Sequence, residues 1–299
     1  MVIDQDSKKF EKTKKIRLGN TRTTGKEQYY TPIQTAESMV ARLVHSRPEL
    51  LMRTWIEPAG GTGNFIEVLQ RFGVPEVISY DIEPHHPKVI RGSFLDQTPP
   101  TKNAVAVGNP PFGRNNSLSV PFFNHCSKFS EYICFIVPKS WRKWSVSNRL
   151  AMNFHLIDDY ELSINYVDID GKQLSNKSVL RTIVQTWERR DVNRTLMLVE
   201  DRGLITRATP ETADVSLTIF GYSCGTVKTE FSRVPNTTQM FLKLGHPKAL
   251  EALNAVDFSC FYNNTAYTEA LSLPEINYLL NEYVFGDPLL VDDQDRRLF

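Results

Sequence analysis

Asn109-Pro110-Pro111-Phe112 follows the apolar run Ala104-Val105-Ala106-Val107. Two consecutive prolines at the end of a strand fix the backbone, and their carbonyls point outward because proline has no N–H to donate. The Asn109 side-chain carbonyl beside the fixed main-chain carbonyl of Pro110 makes two acceptors, a pair able to hold both protons of one amino group. Phe112 offers a flat ring on which an extruded base can stack. A rigid diproline turn over a buried phenylalanine is the plainer explanation, and the residues upstream weigh against it.

Those residues are a glycine loop and an acid. Glu57-Pro58-Ala59-Gly60-Gly61-Thr62-Gly63-Asn64-Phe65 closes an apolar run and leads into a helical pattern. A glycine-rich turn there lets backbone approach a nucleotide-like ligand closely. About twenty residues further on, Tyr80-Asp81-Ile82-Glu83 ends the next run, where doubly wound folds place an acid on ribose hydroxyls. A carboxylate suits that task because it accepts from both hydroxyls at once. Glycine loop, strand-end acid and diproline corner in this order make a specific conjunction.

The elements that must position these residues alternate. Thr31-Pro32 reads as an N-cap followed by proline at the first helical position, and Ile33, Met39, Val40, Leu43 and Val44 continue as an apolar helical face to Arg47. Short apolar runs at 54–56, 77–80, 104–107 and 133–137 then alternate with helical patterns at 65–72 and 120–129. This predicts an α/β fold, a mostly parallel sheet with helices on both faces. Leu156–Asn165 and Val179–Arg189, joined by a polar turn around Asp170-Gly171, read as an antiparallel pair closing one edge. Beyond Asp191, strands at 196–199 and 215–220 and helices at 247–255 and 274–283 predict a smaller α+β appendage over 191–299.

Composition limits the function classes. Of 299 residues, 41% are hydrophobic and 23% charged, and the formal charge is +1, so any polyanion site depends on local clustering. Residues 1–27 carry eight Lys and Arg against four acids, reading as a flexible basic tail, whether a phosphate-touching arm, a solvated tail or a nuclear address. Cys126, Cys134, Cys224 and Cys260 are widely spaced with no Cys-x-x-Cys pair, which argues against a zinc site and a disulfide scaffold. No metal is expected. No apolar run reaches about 18 residues and no signal peptide is legible, so an intracellular protein off the membrane is expected, cytoplasmic or nuclear.

Taken together, Gln28-Tyr29-Tyr30-Thr31-Pro32, the glycine loop, Asp81 and Asn109-Pro110-Pro111-Phe112 resemble the amino-methyltransferases of DNA. The order is similar to the gamma-type arrangement of N6-adenine enzymes. The resemblance covers residues 28–190, and it implies a Rossmann-like seven-stranded sheet with its last strand antiparallel, S-adenosylmethionine as cofactor, and nucleic acid, DNA in preference to RNA, as partner. It further implies that Tyr30, Thr31 and Pro32 line the cofactor's methionine end. Glu57, Ala59, Gly61, Gly63 and Phe65 would form the main pocket, with Asp81 on ribose and Ile82 against the adenine. Phe94 and Asp96 would complete the adenine site. One departure stands out: the family's loop usually begins with aspartate, and here it begins with Glu57.

The implied reaction is methyl transfer to adenine N6, with Asn109, Pro110, Pro111 and Phe112 catalytic. N6 transfer to RNA, N4-cytosine transfer, glutamine methylation and a non-catalytic scaffold role are the alternatives. Lys139, Trp141, Arg142, Lys143 and Trp144 follow a strand end on the same side, where basic residues interleaved with aromatics can grip a nucleic-acid backbone. A snorkelling helix start is the other explanation. Arg114 opens the Arg114-Asn115-Asn116-Ser117 loop and is a further substrate candidate; His85-His86 reads as surface loop, and the 213–228 style of the appendage favours DNA.

Overall fold

The computed structural model describes residues 29–169, 171–173, 180–232 and 238–291; the basic tail and Asp170 lie outside them. The chain alternates as expected: α1 (Ile33–Ser46), β1 (Thr54–Glu57), α2 (Asn64–Arg71), β2 (Glu76–Asp81), β3 (Val89–Arg91), β4 (Ala104–Gly108), α3 (Ser119–Cys126), β5 (Ser130–Pro138), α4 (Trp144–Ser147), β6 (Phe154–Glu161) and β7 (Thr182–Arg189). These strands form one seven-stranded sheet in the order β3-β2-β1-β4-β5-β7-β6. The first five run parallel, whereas β7 is antiparallel to both β5 and β6.

The middle of the sheet explains its own sequence. All five residues of β4 are buried, so both faces are covered and the run is continuously apolar. Val105 and Val107 pack with Met39, Leu43, Phe65 and Leu69 on one face, and Ala104 and Ala106 with Phe123, Ile133 and Trp187 on the other. The small alanines leave room for aromatic rings. The carboxyl ends of β1, β2 and β4 therefore converge at one sheet edge, where open α/β sheets hold ligands.

Some elements depart from expectation. The first helix is capped by Pro32, not Thr31: Pro32 is extended (φ −58°, ψ 148°) and its carbonyl accepts the N–H groups of Thr35 and Ala36. That leaves Tyr29–Pro32 as a strap outside the helix. Strand β6 stops at Glu161 instead of running to Asn165, and Leu162–Tyr166 leaves the sheet. Three-residue β3 has no periodic signal to reveal it.

The appendage has its own antiparallel sheet. A two-residue β8 (Leu198–Val199) precedes β9 (Ile205–Arg207), β10 (Val215–Thr218), β11 (Val227–Lys228) and β12 (Gln239–Leu244), and the last four pair in the order β11-β10-β12-β9. The helices α5 (Ala249–Ala255), α6 (Ser259–Tyr262) and α7 (Leu273–Phe285) follow, and β13 (Leu290–Val291) returns to pair with β8. Leu217, Leu242, Leu253, Ile276 and Leu280 centre a separate core. Ser272 and Glu275 cap α7 reciprocally, and Gly286 ends it in the left-handed conformation at φ 74°. Among the described residues no helix is long and apolar enough to cross a membrane.

Charge joins the two units. The Lys143 ammonium lies 2.9 Å from both Glu275 carboxylate oxygens and 2.9 Å from the Ala270 carbonyl. The two side chains are only 13% and 3% exposed. A buried ion pair broken on one side leaves an uncompensated charge. Lys143→Met should therefore destabilise the chain by about 3–5 kcal/mol in urea unfolding; an unchanged midpoint would show that the pair does not hold the units together.

Candidate active site

Asn109 leaves the end of β4 and turns into the cleft with its two amide ends treated differently. Its Nδ2 donates to the Tyr29 carbonyl at 3.0 Å. Its Oδ1 is buried and has no hydrogen-bond partner. Polar atoms in that state are uncommon in folded proteins, because each forfeits its hydration. The residue lines a cleft together with Tyr29, Tyr30, Thr31, Glu57, Ala59, Gly60, Gly61, Thr62, Asn64 and Phe65. Thr31 Oγ1 is a second buried oxygen there without a partner.

The floor of the cleft is the glycine loop between β1 and α2. Gly61 adopts φ 46°, and a Cβ at that position would lie 2.8 Å from the Tyr30 ring. Gly63 caps α2 at φ 78°, with His86 where its Cβ would be, 2.4 Å away. Both positions require glycine for conformation and for space. Asp81 braces the loop: its Oδ2 accepts the Gly61 N–H at 2.8 Å and its Oδ1 the Glu83 N–H at 2.8 Å. The strap forms the wall. Asn64 Nδ2 donates to the Thr31 carbonyl at 2.7 Å, and Tyr30 pairs with Val167 through two backbone hydrogen bonds of 3.2 Å. Burial, reinforced by the charges of Asp81 and Glu83, raises the Tyr30 phenol pKa.

Glu57 sits beneath this loop at 1% exposure. Its Oε2 accepts from Ser79 Oγ at 2.9 Å. Burial pushes its pKa up to about 8; the Ser79 hydrogen bond opposes the shift and the nearby Asp81 charge adds to it. At neutral pH the side chain is therefore mainly a protonated acid, ready to ionise opposite an incoming cation.

No family model matches the chain. It is 24% identical over 188 residues to the type II methyltransferase M.HincII of Haemophilus influenzae, an alignment covering 58% of this chain and 34% of that protein. The type II methyltransferase M.HindII of Haemophilus influenzae strain Rd matches at 24% over 188 residues, 58% of this chain and 33% of that one. The chain resembles type II methyltransferases. It spans about a third of the length of these relatives. Among solved structures, PH1948 from Pyrococcus horikoshii superimposes with a TM-score of 0.44 at 18% identity, covering 55% of this chain and 87% of that one. TrmN from Thermus thermophilus gives 0.38 at 13% identity, covering 53% and 49%. The seven-stranded, mostly parallel sheet with β7 antiparallel agrees with the fold that the motif resemblance implied.

Set against the methyltransferase resemblance, the cleft brings together Tyr30, Thr31, Glu57, Ala59, Gly61, Phe65 and Asn109. Pro32, Gly63, Asp81, Pro110 and Pro111 adjoin those residues along the chain or through the bonds above. Ile82 and Asp96 are exposed outside the lining. Phe94, at 1% exposure, has its ring packed in the core against Tyr80, Phe122 and His125. Phe112 is 6% exposed and belongs to the core beneath α1, so its ring presents no open stacking face in this state.

The basic-aromatic run after β5 is engaged within the protein. Lys139–Arg142 forms a single tight 3-10 turn, which places residues three apart on one side. Lys139 pairs with Glu161 at 2.6 Å, and Arg142 pairs with Asp159 and with Glu161. Asp159 and Glu161 alternate onto one face of β6 and meet both cations. Trp141 turns inward at 1% exposure, its Nε1 donating to Ser119 Oγ at 3.3 Å. These three residues brace the sheet edge. Arg114 alone of the proposed substrate residues is exposed, beside Asn115 and Asn116 at φ 54° and 61°. Sequence reasoning missed Tyr29, Gly60, Thr62 and Asn64 as lining residues, and the bracing of the glycine loop by His85 and His86. His85 N–H donates to the Gly61 carbonyl at 2.9 Å.

Glu57 carries a pH prediction. A carboxyl whose folded pKa is raised binds more protons folded than unfolded between the two values, so stability falls as pH rises through that window and the full penalty is reached above the folded pKa. Relative to Glu57→Gln, the wild-type chain should lose thermal midpoint steadily from about pH 5 to about pH 8.5. A constant difference across that range would contradict the protonated, buried state of Glu57.

Proposed function

We propose that the chain transfers a methyl group from S-adenosylmethionine to the exocyclic N6 amino group of adenine in DNA. The observation that carries this reading is Asn109 Oδ1, a buried acceptor without a partner at the end of a rigid strand, on a residue that lines a cleft with a glycine floor. The DNA assignment is supported by the motif resemblance and by the likeness to type II methyltransferases. A scaffold role accounts less well for an intact cleft with two unpartnered oxygens.

The residues fit the cofactor. A buried acid, Glu57, and the unpartnered Thr31 hydroxyl suit the ammonium and carboxylate of a methionine moiety, and the glycine loop allows main chain to approach it closely. Tyr30, Thr31, Pro32, Glu57, Ala59, Gly61, Gly63 and Phe65 would hold that end, with Asp81, Ile82 and Asp96 toward the nucleoside. When bound, the sulfonium supplies an electrophilic methyl group with a good leaving group attached.

An adenine amino nitrogen is a weak nucleophile because its lone pair is delocalised into the ring. Asn109 Oδ1 and the Pro110 carbonyl would accept hydrogen bonds from its two N–H groups, which favours a more tetrahedral nitrogen whose lone pair can attack the methyl carbon; the N–C bond forms as the S–C bond breaks to leave the neutral thioether, and the methylated nitrogen then gives up one proton to water. The corner is preorganised, so catalysis is positioning and electrostatics with no reorganisation at the moment of transfer. To stack on the base, Phe112 must turn a face out of the core, contributing about 1–3 kcal/mol once it does. Arg114, exposed on the loop that follows, is placed to meet phosphate.

Asn109→Ala should abolish methyl transfer while calorimetry shows cofactor affinity within about threefold of wild type. Wild-type turnover in that variant would remove Asn109 from the mechanism. Incubation with labelled cofactor and separate pools of duplex DNA, single-stranded DNA and RNA, followed by nucleoside mass spectrometry, should yield N6-methyladenine from DNA. Product confined to RNA, or to cytosine, would overturn the substrate assignment.

A further inference from the structure

An amide side chain has two faces of opposite character, and the mechanism above works with only one of them toward the substrate. If Asn109 were turned over, its NH2 would face the amino group, donor against donor, and its Oδ1 would face the Tyr29 carbonyl, acceptor against acceptor. The Tyr29 carbonyl, which takes the Nδ2 proton at 3.0 Å, therefore selects the productive orientation. What holds Tyr29 becomes part of the site.

Tyr29 lies one residue before the Tyr30–Val167 bridge, whose two backbone hydrogen bonds of 3.2 Å tie the strap to the segment between β6 and β7. The anchorage reaches Tyr29 itself through its ring. Tyr166 meets that ring edge-on, with centroids 5.5 Å apart and planes at 61°, a favourable aromatic geometry. Tyr166 is in turn fixed: it is 7% exposed, and its hydroxyl donates to Thr182 Oγ1 at 3.4 Å, at the start of β7. A side chain from the β6–β7 connection thus reaches the reacting corner without lining the cleft.

We propose that Tyr166 is a positioning residue for Asn109, acting through the main chain of Tyr29. The inference rests on Asn109 being the amino-group acceptor of the proposed reaction. It makes the β6–β7 connection a determinant of turnover: when Tyr166 is docked, Asn109 presents Oδ1, and when it is not, the amide is free to turn. Cofactor binding is largely separate, because the Tyr30 bridge and the Asn64–Thr31 bond keep the rest of the strap in place.

The test compares Tyr166→Ala and Tyr166→Phe with wild type by three readouts: kcat on an adenine-containing DNA duplex, the dissociation constant of S-adenosylmethionine, and hydrogen exchange of the Asn109 side-chain amide, assigned as the resonance missing from Asn109→Ser. Tyr166→Ala should lower kcat by about 10- to 100-fold, the scale of a small misplacement of a reacting group, while cofactor affinity stays within about threefold. Its Asn109 amide should exchange faster. Tyr166→Phe should restore both, because it keeps the ring and gives up only a long hydroxyl contact. Unchanged kcat and exchange in Tyr166→Ala, cofactor affinity falling in step with kcat, or a Phe variant as damaged as the Ala variant would each overturn the proposal. If the wild-type chain methylates no DNA, the functional reading fails by itself, and the amide exchange still decides whether Tyr166 holds Asn109.

Discussion

A buried carbonyl oxygen without a donor costs a folded chain about 1–3 kcal/mol, and Asn109 Oδ1 is such an atom at the carboxyl end of β4. The rest of the first unit can be understood as what holds it there. Both faces of β4 are covered, which fixes the strand; two prolines fix the turn; and the Tyr29 carbonyl fixes the amide by taking its other end. A chain free to relax would rotate this side chain to water. Here the buried strand and the bond to Tyr29 hold it, and the acceptor remains without a partner.

The second constraint is space above the glycine loop. Tyr30 and His86 sit where side chains at Gly61 and Gly63 would be, so the loop is closed over by neighbours instead of standing open. Asp81 takes two backbone N–H groups of that region, which makes it a brace of the loop. Glu57, beneath, is hydrogen-bonded to Ser79, and burial favours its neutral form. The site is thus arranged around unmet hydrogen-bonding requirements in one cleft.

Much of this was legible from the sequence because it is local. The glycine loop, the strand-end acid and the diproline corner each declare themselves within a few residues, and the apolar runs that became β4 and most of β1 and β5 are continuous because those strands are buried. What was not legible depends on distant partners. Lys139, Trp141 and Arg142 look like a nucleic-acid grip until Asp159 and Glu161 are seen to meet the cations and the helix turn to send Trp141 inward. Phe94 has the right place in a motif, but its ring fills the core beside Tyr80. Tyr166 carries no signal at all: its importance comes from Tyr29, 137 positions away along the chain, and from the departure of residues 162–166 from the strand pattern. The appendage was legible as α+β, but β12 and the ion pair of Glu275 with Lys143 were not, since neither has a periodic or motif signature.

The most direct test of the orphaned acceptor is a crystal structure with S-adenosylhomocysteine and a short adenine-containing DNA duplex. The target amino nitrogen should lie within hydrogen-bond distance, about 3 Å, of both Asn109 Oδ1 and the Pro110 carbonyl, with Nδ2 still on Tyr29. An Asn109 amide turned away from the base, or satisfied by another protein group while the base lies elsewhere, would contradict it.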